Sequence, residues 1–369
     1  MNVLIFSTNE TLAMYILRCL SVLGIRTCIM GLGKFHPIRI SRYCDNYFRY
    51  EFADLLEEND YIVDNINNYC RKQKLDIVIP AGTDGTLFIS KISDRITAAK
   101  VFPLAKPETL KLLKNKWSFG EFIKKNGIPC PKTLLINDIH QLKSFNLEFP
   151  IVVKPLELEG GRGIAKLNSF KELEIYISKG NKFNLLPLLI QEYIPGTDMS
   201  INALAKNGKI VIWSIQKYQP NGHAQNIVEF IKDDNILNIG KHIVSCCNYT
   251  GMVNIDMRFD DRDKSIKVTE CNPRFGTSTY MATFSGVNFP YLGLLMAQDK
   301  IIENINYREI RYLKFKKLIF ETLKNVSLKD VNKHNLYFIM QVVDDPLYYG
   351  YSMHYYLFSI LMKLLRLKK

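Results

Sequence analysis

The sequence predicts a chain of mixed α/β and α+β class with a basic helical tail at its C-terminal end. Over roughly the first hundred residues, short apolar strands alternate with amphipathic helices, which is typical of an open parallel sheet with helices on both faces. Strands then come in hairpins with helices between them, which indicates an α+β domain of two lobes. From residue 301 onward there are twelve Lys and Arg but six Asp and Glu, so the tail is basic.

The N-terminal domain, residues 1–105, is predicted to be a parallel sheet. Apolar segments mark its strands in the order VLIF, RTCIMGLG, YFRYEF, DIVIP and KVFPLA. Helical spacing covers residues 10–23, 57–74 and 84–96 between them. The turn after the first strand reads STNET rather than GxGxxG, so no dinucleotide site is expected there. The loop of residues 81–84 follows a buried strand and is a candidate for holding a small substrate.

The second domain, residues 106–300, is predicted to begin with one amphipathic helix over residues 106–126. A small lobe over about 120–195 and a large lobe over about 196–300 follow. The predicted strands are FPIVVKPLE, GIAKLNS and LLIQEYIPG, then a hairpin with an Asn207–Gly208 turn, and finally a hairpin over 253–274. Helices are predicted between these strands at 169–178 and 235–247.

The composition is that of a globular protein, with 47% hydrophobic and 23% charged residues among 369. No apolar run is long enough to cross a bilayer, and the N-terminus reads as a strand because no basic stretch precedes it. Eight cysteines without a CxxC pair favour reduced thiols and a cytoplasmic location. The net charge of +13 suits nucleic acid, anionic membranes or anionic small substrates. Since no nucleic-acid-binding motif accompanies it, we expect no nucleic-acid partner.

The hairpin over residues 253–274, VNIDMRFDDRDKSIKVTECNPR, concentrates oxygen ligands. Asp256 lies on its first arm, and Glu270 and Asn272 lie two residues apart on the second. Because side chains alternate along a strand, Glu270 and Asn272 share a face, and strand pairing can bring Asp256 to it. Carboxylate and amide oxygens of this kind suit Mg²⁺. The alternative interpretation is a polar hairpin on the protein surface.

Three further features precede this hairpin. Lys116 lies on a predicted helix, and Lys154 ends an otherwise apolar strand, where a charge is costly unless it is paired. A glycine-rich run over 159–163 can place backbone N–H groups around phosphate oxygens. The segment QEYIPG follows a third strand and can join two lobes. Taken singly, these features are equally typical of a solvated lysine, a plain turn and a strand end.

In this order, the features resemble the ATP-grasp superfamily, whose members include biotin carboxylase, D-alanine–D-alanine ligase and the carbamoyl phosphate synthetase large subunit. The segments VVKP, GGRG, EYIPG and ECNPR are most similar to those of biotin carboxylase and carbamoyl phosphate synthetase. The resemblance covers roughly residues 1–300. It implies a parallel-sheet domain that precedes the ATP-grasp domain, followed by two lobes that clamp ATP.

The resemblance also implies a role for each matching residue. The phosphate-binding lysines match Lys116 and Lys154, and the arginine that holds the acyl phosphate or its acceptor matches Arg274. The flexible loop over the phosphates matches Glu159, Gly160, Gly161, Arg162 and Gly163. The adenine-binding linker matches Gln191, Glu192, Tyr193 and Ile194, with the backbone of the last two facing the base.

The remaining matches are to acids and an amide. The ribose-binding acid matches Asp198, and the metal ligands match Asp256, Glu270 and Asn272. Aspartate at positions 198 and 256 departs from the family, in which glutamate is more usual. The shorter side chain leaves a direct contact between Asp256 and the metal open. The metal implied by the resemblance is Mg²⁺, with Mn²⁺ as the alternative.

The function that the resemblance implies is that of an ADP-forming carboxylate–amine ligase. A small-molecule carboxylate attacks the γ-phosphorus of ATP and becomes an acyl phosphate, and an amine then displaces phosphate to form an amide or peptide bond. No nucleophile of the enzyme is needed, in agreement with the absence of GxSxG. The alternatives are a bicarbonate-using carboxylase of the same superfamily and a catalytically inactive nucleotide-binding scaffold. A scaffold would not need Arg274 beside the metal site.

The extension over residues 301–369 ends in HYYLFSILMKLLRLKK, which is predicted to be a basic amphipathic helix. Such a helix can lie on an anionic membrane, or it can dock on its own domain with lysines at its C-terminal end. The docked helix is the favoured interpretation, so peripheral membrane contact remains the alternative. A homodimer and the identity of both substrates stay open.

Overall fold

The computed structural model describes residues 1–32, 37–51, 60–144, 146–156, 163–179, 186–218, 227–303, 305–313 and 344–351. The α-helices within these residues are α1 (Glu10–Ser21), α2 (Asp60–Gln73), α3 (Thr83–Ile92), α4 (Pro107–Lys114), α5 (Lys116–Lys125), α6 (Phe170–Lys179), α7 (Asp234–Cys246), α8 (Thr279–Phe284) and α9 (Phe289–Ala297). Short 3₁₀ helices cover Pro37–Ile40, Ser93–Arg95 and Ile139–Ser144.

The strands fall into three sheets. The N-terminal domain contains β1 (Asn2–Ser7), β2 (Arg26–Leu32), β3 (Asn46–Tyr50), β4 (Ile77–Ala81) and β5 (Lys100–Val101). The small lobe contains β6 (Thr133–Ile136), β7 (Ile151–Pro155), β8 (Ala165–Leu167) and β9 (Leu188–Glu192). The large lobe contains β10 (Gly196–Lys206), β11 (Lys209–Tyr218), β12 (Ile227–Ile231), β13 (Gly251–Asp260), β14 (Ile266–Asn272) and β15 (Ile310–Leu313).

The N-terminal sheet confirms the predicted parallel domain. Its five strands run parallel in the order β3-β2-β1-β4-β5. Alternate residues of β1 enter different cores: Val3 and Ile5 pack with α1, whereas Leu4 and Phe6 pack with α2 and α3. Both faces are therefore covered by helices, as a buried parallel sheet requires. The carboxyl ends of the paired strands β1 and β4 lie at the same edge of the sheet. The loop after β4 leaves this edge, and Thr83 at its end contacts Arg274 of the second domain.

The single helix predicted over residues 106–126 is wrong, because the chain forms two helices there, α4 and α5. Asn115 between them has extended backbone angles, φ −76° and ψ 116°. Its side-chain oxygen accepts hydrogen bonds from the backbone N–H groups of Trp117 (3.1 Å) and Ser118 (3.0 Å). Asparagine competes with the helical backbone in this way and is a favoured N-cap. The break places Lys116 at the first position of α5.

The small lobe is a four-stranded antiparallel sheet in the order β6-β9-β7-β8. Its core joins Ile151 and Val153 of β7 to Ile190 of β9 and Leu173 of α6, all of them buried. The side chain of Lys154, between two inward-facing residues of β7, points the other way. The sheet therefore has one apolar face and one face that carries Lys154.

The large lobe is a six-stranded antiparallel sheet in the order β14-β13-β10-β11-β12-β15. The hairpin with the Asn207–Gly208 turn is confirmed as β10 and β11, and the acidic hairpin as β13 and β14. One face of the sheet packs on α7 through residues such as Ile201, Ile255 and Ile243. Toward one end, the other face joins the core that contains α1, α8 and α9. The predicted domain boundaries stay a prediction, although β15, beyond residue 300, pairs with β12.

Part of the predicted C-terminal extension docks on the N-terminal domain. Asp345 is 1% exposed and accepts hydrogen bonds from Arg18 Nη2 (3.0 Å), Ser41 Oγ (2.6 Å) and the Arg42 backbone N–H (3.1 Å). The helix predicted from residue 355 lies outside the described residues. Within the described part of the chain, no helix combines the length and apolar character that crossing a membrane requires.

Candidate functional site

The acidic hairpin has the strand pairing that the sequence predicts. Asp256 lies opposite Glu270, and Asn254 lies opposite Asn272, with a register shift between Asp256 and Met257. The Asn272 Nδ2 donates to Asp256 Oδ2 (3.1 Å) and to Asn254 Oδ1 (3.3 Å). The pairing therefore brings Asp256, Glu270 and Asn272 to one face of the sheet. The polar side chains of this face point into the cleft between the large lobe and the small lobe, toward Lys154.

The two carboxylates of this hairpin repel each other in a partly buried place. Burial and, after it, the charge of Glu270 raise the pKa of Asp256 to about 7, against the opposing effect of the Arg274 guanidinium. A divalent cation would offset this repulsion, so the residues fit the predicted metal. Among the described residues, no group of three or more His, Cys, Asp or Glu side chains is placed to hold a metal. A metal ion held by two carboxylates and the Asn272 amide oxygen would keep coordination positions open for phosphate or water oxygens.

Arg274 connects the hairpin to the N-terminal domain. Its Nη2 donates to Asn272 Oδ1 (3.1 Å), and its Nε donates to Thr83 Oγ1 (3.0 Å). Its Nη1 donates to the carbonyl of Phe275 (2.8 Å). Thr83 is the first residue of α3, directly after the loop that follows β4. Because the guanidinium is planar and held by three partners, its orientation is fixed beside the predicted metal ligands.

Both predicted phosphate-binding lysines approach the hairpin from other elements. Lys154 Nζ donates to Gln191 Oε1 on the neighbouring strand β9 (2.8 Å). Burial lowers the pKa of Lys154, the carboxylates of Glu270 and Asp256 oppose the shift, and the charge of Lys116 adds to it. These charges act on Lys154 because the small lobe faces the acidic hairpin. Lys116 Nζ donates to the carbonyl of Leu156 at 3.4 Å.

A cavity of about 230 Å³ opens where the three parts of the chain meet. It is lined by Thr83, Leu87, Lys111, Lys114, Asn115, Lys116, Leu156, Glu270, Cys271, Asn272 and Pro273. Lys116 and the predicted metal ligands Glu270 and Asn272 therefore border the same space. Lys154 does not line this cavity, and its relation to the hairpin is the electrostatic effect of Glu270 and Asp256 described above.

The predicted adenine linker is held in place by its own side chains. Gln191 Nε2 donates to Thr133 Oγ1 (3.0 Å), which leaves its Oε1 for Lys154. Glu192 pairs with Arg262 at 2.6 Å. The Tyr193 backbone N–H donates to the carbonyl of Pro150 at 3.3 Å. The carbonyl of Ile194 accepts a hydrogen bond from Arg258 Nε. Contact between this backbone and a base stays a prediction.

Asp198, the predicted ribose-binding acid, lies opposite Arg258 on β13 and forms an ion pair with it. The Arg258 Nη2 also donates to the carbonyl of Gly196 (2.9 Å). Two residues further along β10, Ser200 lies opposite Asp256. Asp198 and Asp256 therefore lie on the same face of neighbouring strands, so a nucleotide held by Asp198 would extend toward the acidic hairpin.

The predicted glycine-rich phosphate loop is described at only one of its residues. Gly163 has a φ of 72°, which favours glycine, and its carbonyl accepts a hydrogen bond from Tyr176 Oη. Glu159, Gly160, Gly161 and Arg162 lie outside the described residues, so their contact with phosphates stays a prediction.

A row of buried polar residues that was not predicted from the sequence lies on the same sheet face. Ser200 Oγ donates to Gln216 Oε1 (3.0 Å), and Asn202 Nδ2 donates to Gln216 Oε1 (2.9 Å) and Ser278 Oγ (2.7 Å). The signal was present in TDMSINALA, where polar residues at 198, 200 and 202 alternate with apolar ones. Lys111 and Lys114 were not predicted, because no motif near them indicates the cavity, whereas Thr83 belongs to the loop over residues 81–84 that was predicted to hold a small substrate.

Residues 184–316 match a family model described as ATP-grasp in the biosynthetic pathway with Ter operon. The D-aspartate ligase of Enterococcus faecium is 25% identical over 262 residues, which are 63% of this chain and 60% of that protein. The carbamoyl phosphate synthase large chain of Clostridium beijerinckii is 24% identical over 333 residues, which are 85% of this chain and 30% of that protein. The chain thus spans less than two thirds of the length of these relatives.

Among solved structures, the L-amino acid ligase from Bacillus licheniformis superposes with a TM-score of 0.61 at 19% identity. The superposition covers 81% of this chain and 74% of that protein. At this identity the likeness concerns the fold alone. The family model and the two relatives confirm the resemblance to the ATP-grasp superfamily, while the roles of the matched site residues stay predictions.

Proposed function

The chain contains an ATP-grasp domain, and on this premise we propose that it is an ADP-forming ligase that joins a small carboxylic acid to an amine. The observation that carries the proposal is the meeting of three groups around one cavity. Lys116, the acidic hairpin ligands Glu270 and Asn272, and the arginine tied to Thr83 all border or adjoin it. A nucleotide-binding protein without catalysis would have no use for that arginine.

ATP and a divalent metal ion are the cosubstrate and cofactor that enzymes of this superfamily use. We assign Lys116 and Lys154 to the phosphates, Asp198 to the ribose, and the linker from Gln191 to Ile194 to the base. Asp256, Glu270 and Asn272 would hold Mg²⁺, with Mn²⁺ as the alternative. The bound ion supplies charge neutralisation to the phosphate oxygens.

The residues of the chain contribute position and charge rather than covalent chemistry. The carboxylate of the acid attacks the γ-phosphorus, ADP leaves, and an acyl phosphate forms; the amine then attacks the acyl carbon, phosphate leaves, and the nitrogen loses a proton. Lys116 and Lys154 would offset the charge of the transferred phosphoryl group, which is the main requirement of this reaction. Arg274, oriented by Thr83 and Asn272, would hold the acyl phosphate.

The substrates and setting of the whole protein follow the names of its relatives only as proposals. A D-aspartate ligase and an L-amino acid ligase both take an acid and an amine, so we propose small-molecule carboxylate and amine partners. A cytoplasmic location is supported by the eight cysteines, which are free thiols. A homodimer is an open alternative to the monomer.

The test is ADP release by the purified chain, with ATP and Mg²⁺, over pools of amino acids and other small acids, with and without amines. We expect release that requires an acid and an amine together. Lys154→Met should reduce it by about a hundredfold, because removing an electrostatic contact to a transferred group costs that order of rate. Thermal melting of the variant should match that of the wild-type protein.

Other outcomes identify the alternatives. ADP release that depends on bicarbonate would support a carboxylase of the same superfamily and overturn the ligase. ATP binding without turnover under any of these conditions would support an inactive scaffold. Undiminished activity of Lys154→Met would remove the assignment of this lysine.

A further inference from the structure

The cavity carries more positive charge than the proposed reaction uses. Lys111 and Lys114 line it together with Lys116. Both lie on α4 three residues apart, and residues at that spacing share one face of a helix. The neighbouring Leu110 and Leu113 are buried in the core beneath. The face of α4 that meets the cavity is therefore cationic, and neither lysine has been assigned to the nucleotide.

The charge balance of the cavity favours an anionic occupant. Among the lining residues, Glu270 is the acid, and its charge is committed to the proposed metal. Lys114 Nζ pairs with Asp84 at 3.0 Å, but the Asp84 side chain is 53% exposed. Exposed ion pairs contribute little to stability, and an ammonium has three donors, so Lys114 can also bind a ligand.

The position of these lysines relative to Arg274 determines which substrate they would meet. Arg274 and Asn272 mark where the reacting carboxylate must lie, beside the acidic hairpin. Thr83, the other partner of Arg274, begins α3 on the N-terminal domain and lines the same cavity. The N-terminus of a helix favours negative charge, so this wall adds to the field of the lysines. Because Thr83 contacts Arg274 and lines the cavity together with Lys111 and Lys114, it connects the arginine to the two lysines.

We propose that the acid substrate carries a second anionic group, which Lys111 and Lys114 bind at the end of the cavity formed by α3 and α4. This inference rests on the proposed ligase function and specifies its substrate. The volume of about 230 Å³ restricts the substrate to a small molecule. A second carboxylate and a phosphate are the two sources of such a group, and they are separated by experiment.

The experiment replaces the unknown amine by hydroxylamine, which attacks an acyl phosphate, releases phosphate and leaves a hydroxamate that is measured by the colour of its Fe³⁺ complex. Acids are compared in matched pairs: aspartate with asparagine, glutamate with glutamine, succinate with succinamate, and O-phosphoserine with serine. The second member of each pair, called the neutral partner, has an uncharged group in place of the second anionic group and keeps one carboxylate for activation. We expect kcat/KM to be at least about tenfold higher for the dianionic member of the preferred pair, the factor expected of one charge-assisted contact. The pair that responds identifies the carboxylate or the phosphate.

Variants locate the contact. Lys111→Gln and Lys114→Gln should each raise the KM for the dianionic acid about tenfold without changing its kcat or the KM of the neutral partner. Asp84→Asn should lower that KM, because it removes the competitor of Lys114. Lys106→Gln is the matched control: this lysine is exposed, directly precedes α4 and does not line the cavity, so it should change nothing.

Two results would overturn the inference while leaving the ligase intact. One is equal use of neutral and dianionic acids. The other is a loss in Lys111→Gln and Lys114→Gln that affects both members of a pair alike. If no acid yields hydroxamate or ADP, the proposed ligase function itself is wrong, and the inference falls with it.

Discussion

On the six-stranded sheet of the large lobe, alternate residues of β10 and β13 face in opposite directions. Ile201 and Ile255 point to α7 and are fully buried among apolar side chains. Ser200 and Asn202, next to Ile201 in the sequence, are equally buried but lie on the face that carries Asp256. The two faces thus differ in chemistry, not in burial. We call them the helix face, which packs on α7, and the cleft face, which carries Asp256.

The two faces contribute differently to the stability and the activity of the protein. Apolar burial on the helix face stabilises the fold in proportion to the area removed from water. A buried polar group contributes only when it is hydrogen-bonded. On the cleft face, Asn202 Nδ2 meets that condition by donating to Gln216 and Ser278, whereas Asn202 Oδ1 has no hydrogen-bond partner among the described residues. Such a network holds side chains in one orientation. We therefore expect substitutions on the helix face to affect stability and those on the cleft face to affect activity.

The largest expected effect lies on the cleft face, at Glu270. Glu270→Gln keeps the shape of the side chain but removes a charge beside Asp256, so the metal and the phosphates lose a counter-charge. We expect kcat to fall about a thousandfold with unchanged thermal melting. Steady-state ADP release measures the first and calorimetry the second. Asp263→Asn, at the half-exposed turn of the same hairpin, is the control and should retain wild-type activity. A loss of kcat below tenfold in Glu270→Gln would contradict the assignment.

The second largest expected effect is a loss of stability on the helix face, at Ile255. Ile255→Ala removes buried methyl groups between β13 and α7, and the cavity that remains is costly. We expect the free energy of unfolding, measured with urea, to fall by about 2–4 kcal/mol. The activity of the folded fraction should stay within about twofold of wild type, since no cleft group is touched. Ile301→Ala, at a side chain that is 86% exposed, should leave the stability nearly unchanged. An activity loss as large as that of Glu270→Gln would break the distinction between the faces.

The smallest expected effect is a difference between two glycines, Gly276 beside the cleft face and Gly240 on α7, which packs on the helix face. A Cβ at Gly276 would meet Asn202 Oδ1 at 2.4 Å, and that amide is held by two hydrogen bonds. A Cβ at Gly240, on α7, would meet the flexible end of Ile201 at 3.0 Å. We expect Gly276→Ala to lower the free energy of unfolding by about 1–3 kcal/mol. Gly240→Ala should stay within about 1 kcal/mol of wild type, because alanine favours the helix. Equal losses in both, measured by urea unfolding, would show that the faces do not differ in rigidity.

Much of the fold could be predicted because the signals are local. Period-two alternation marked β10, β13 and β14, and the Asn207–Gly208 turn marked the first hairpin. The hairpin that brings Asp256 to the face of Glu270 was predicted from the charged turn between its strands, whereas its register, with the shift between Asp256 and Met257, was not. The break at Asn115 was missed because the apolar spacing continues across it. There, a side-chain cap overrides the helical pattern.

The sequence by itself determined most of the strands, because alternation is visible within a few residues, but β6, β12, β15 and the order of the strands in each sheet were not predicted. The resemblance of short motifs indicated the residues that could hold phosphates and a metal. Only the tertiary structure decided that Arg274 meets Thr83, 191 residues earlier, and that Lys111 and Lys114 enter the same cavity as Glu270. The physical reason is that such contacts depend on how the sheets and helices pack on one another. No short segment of the chain contains that information.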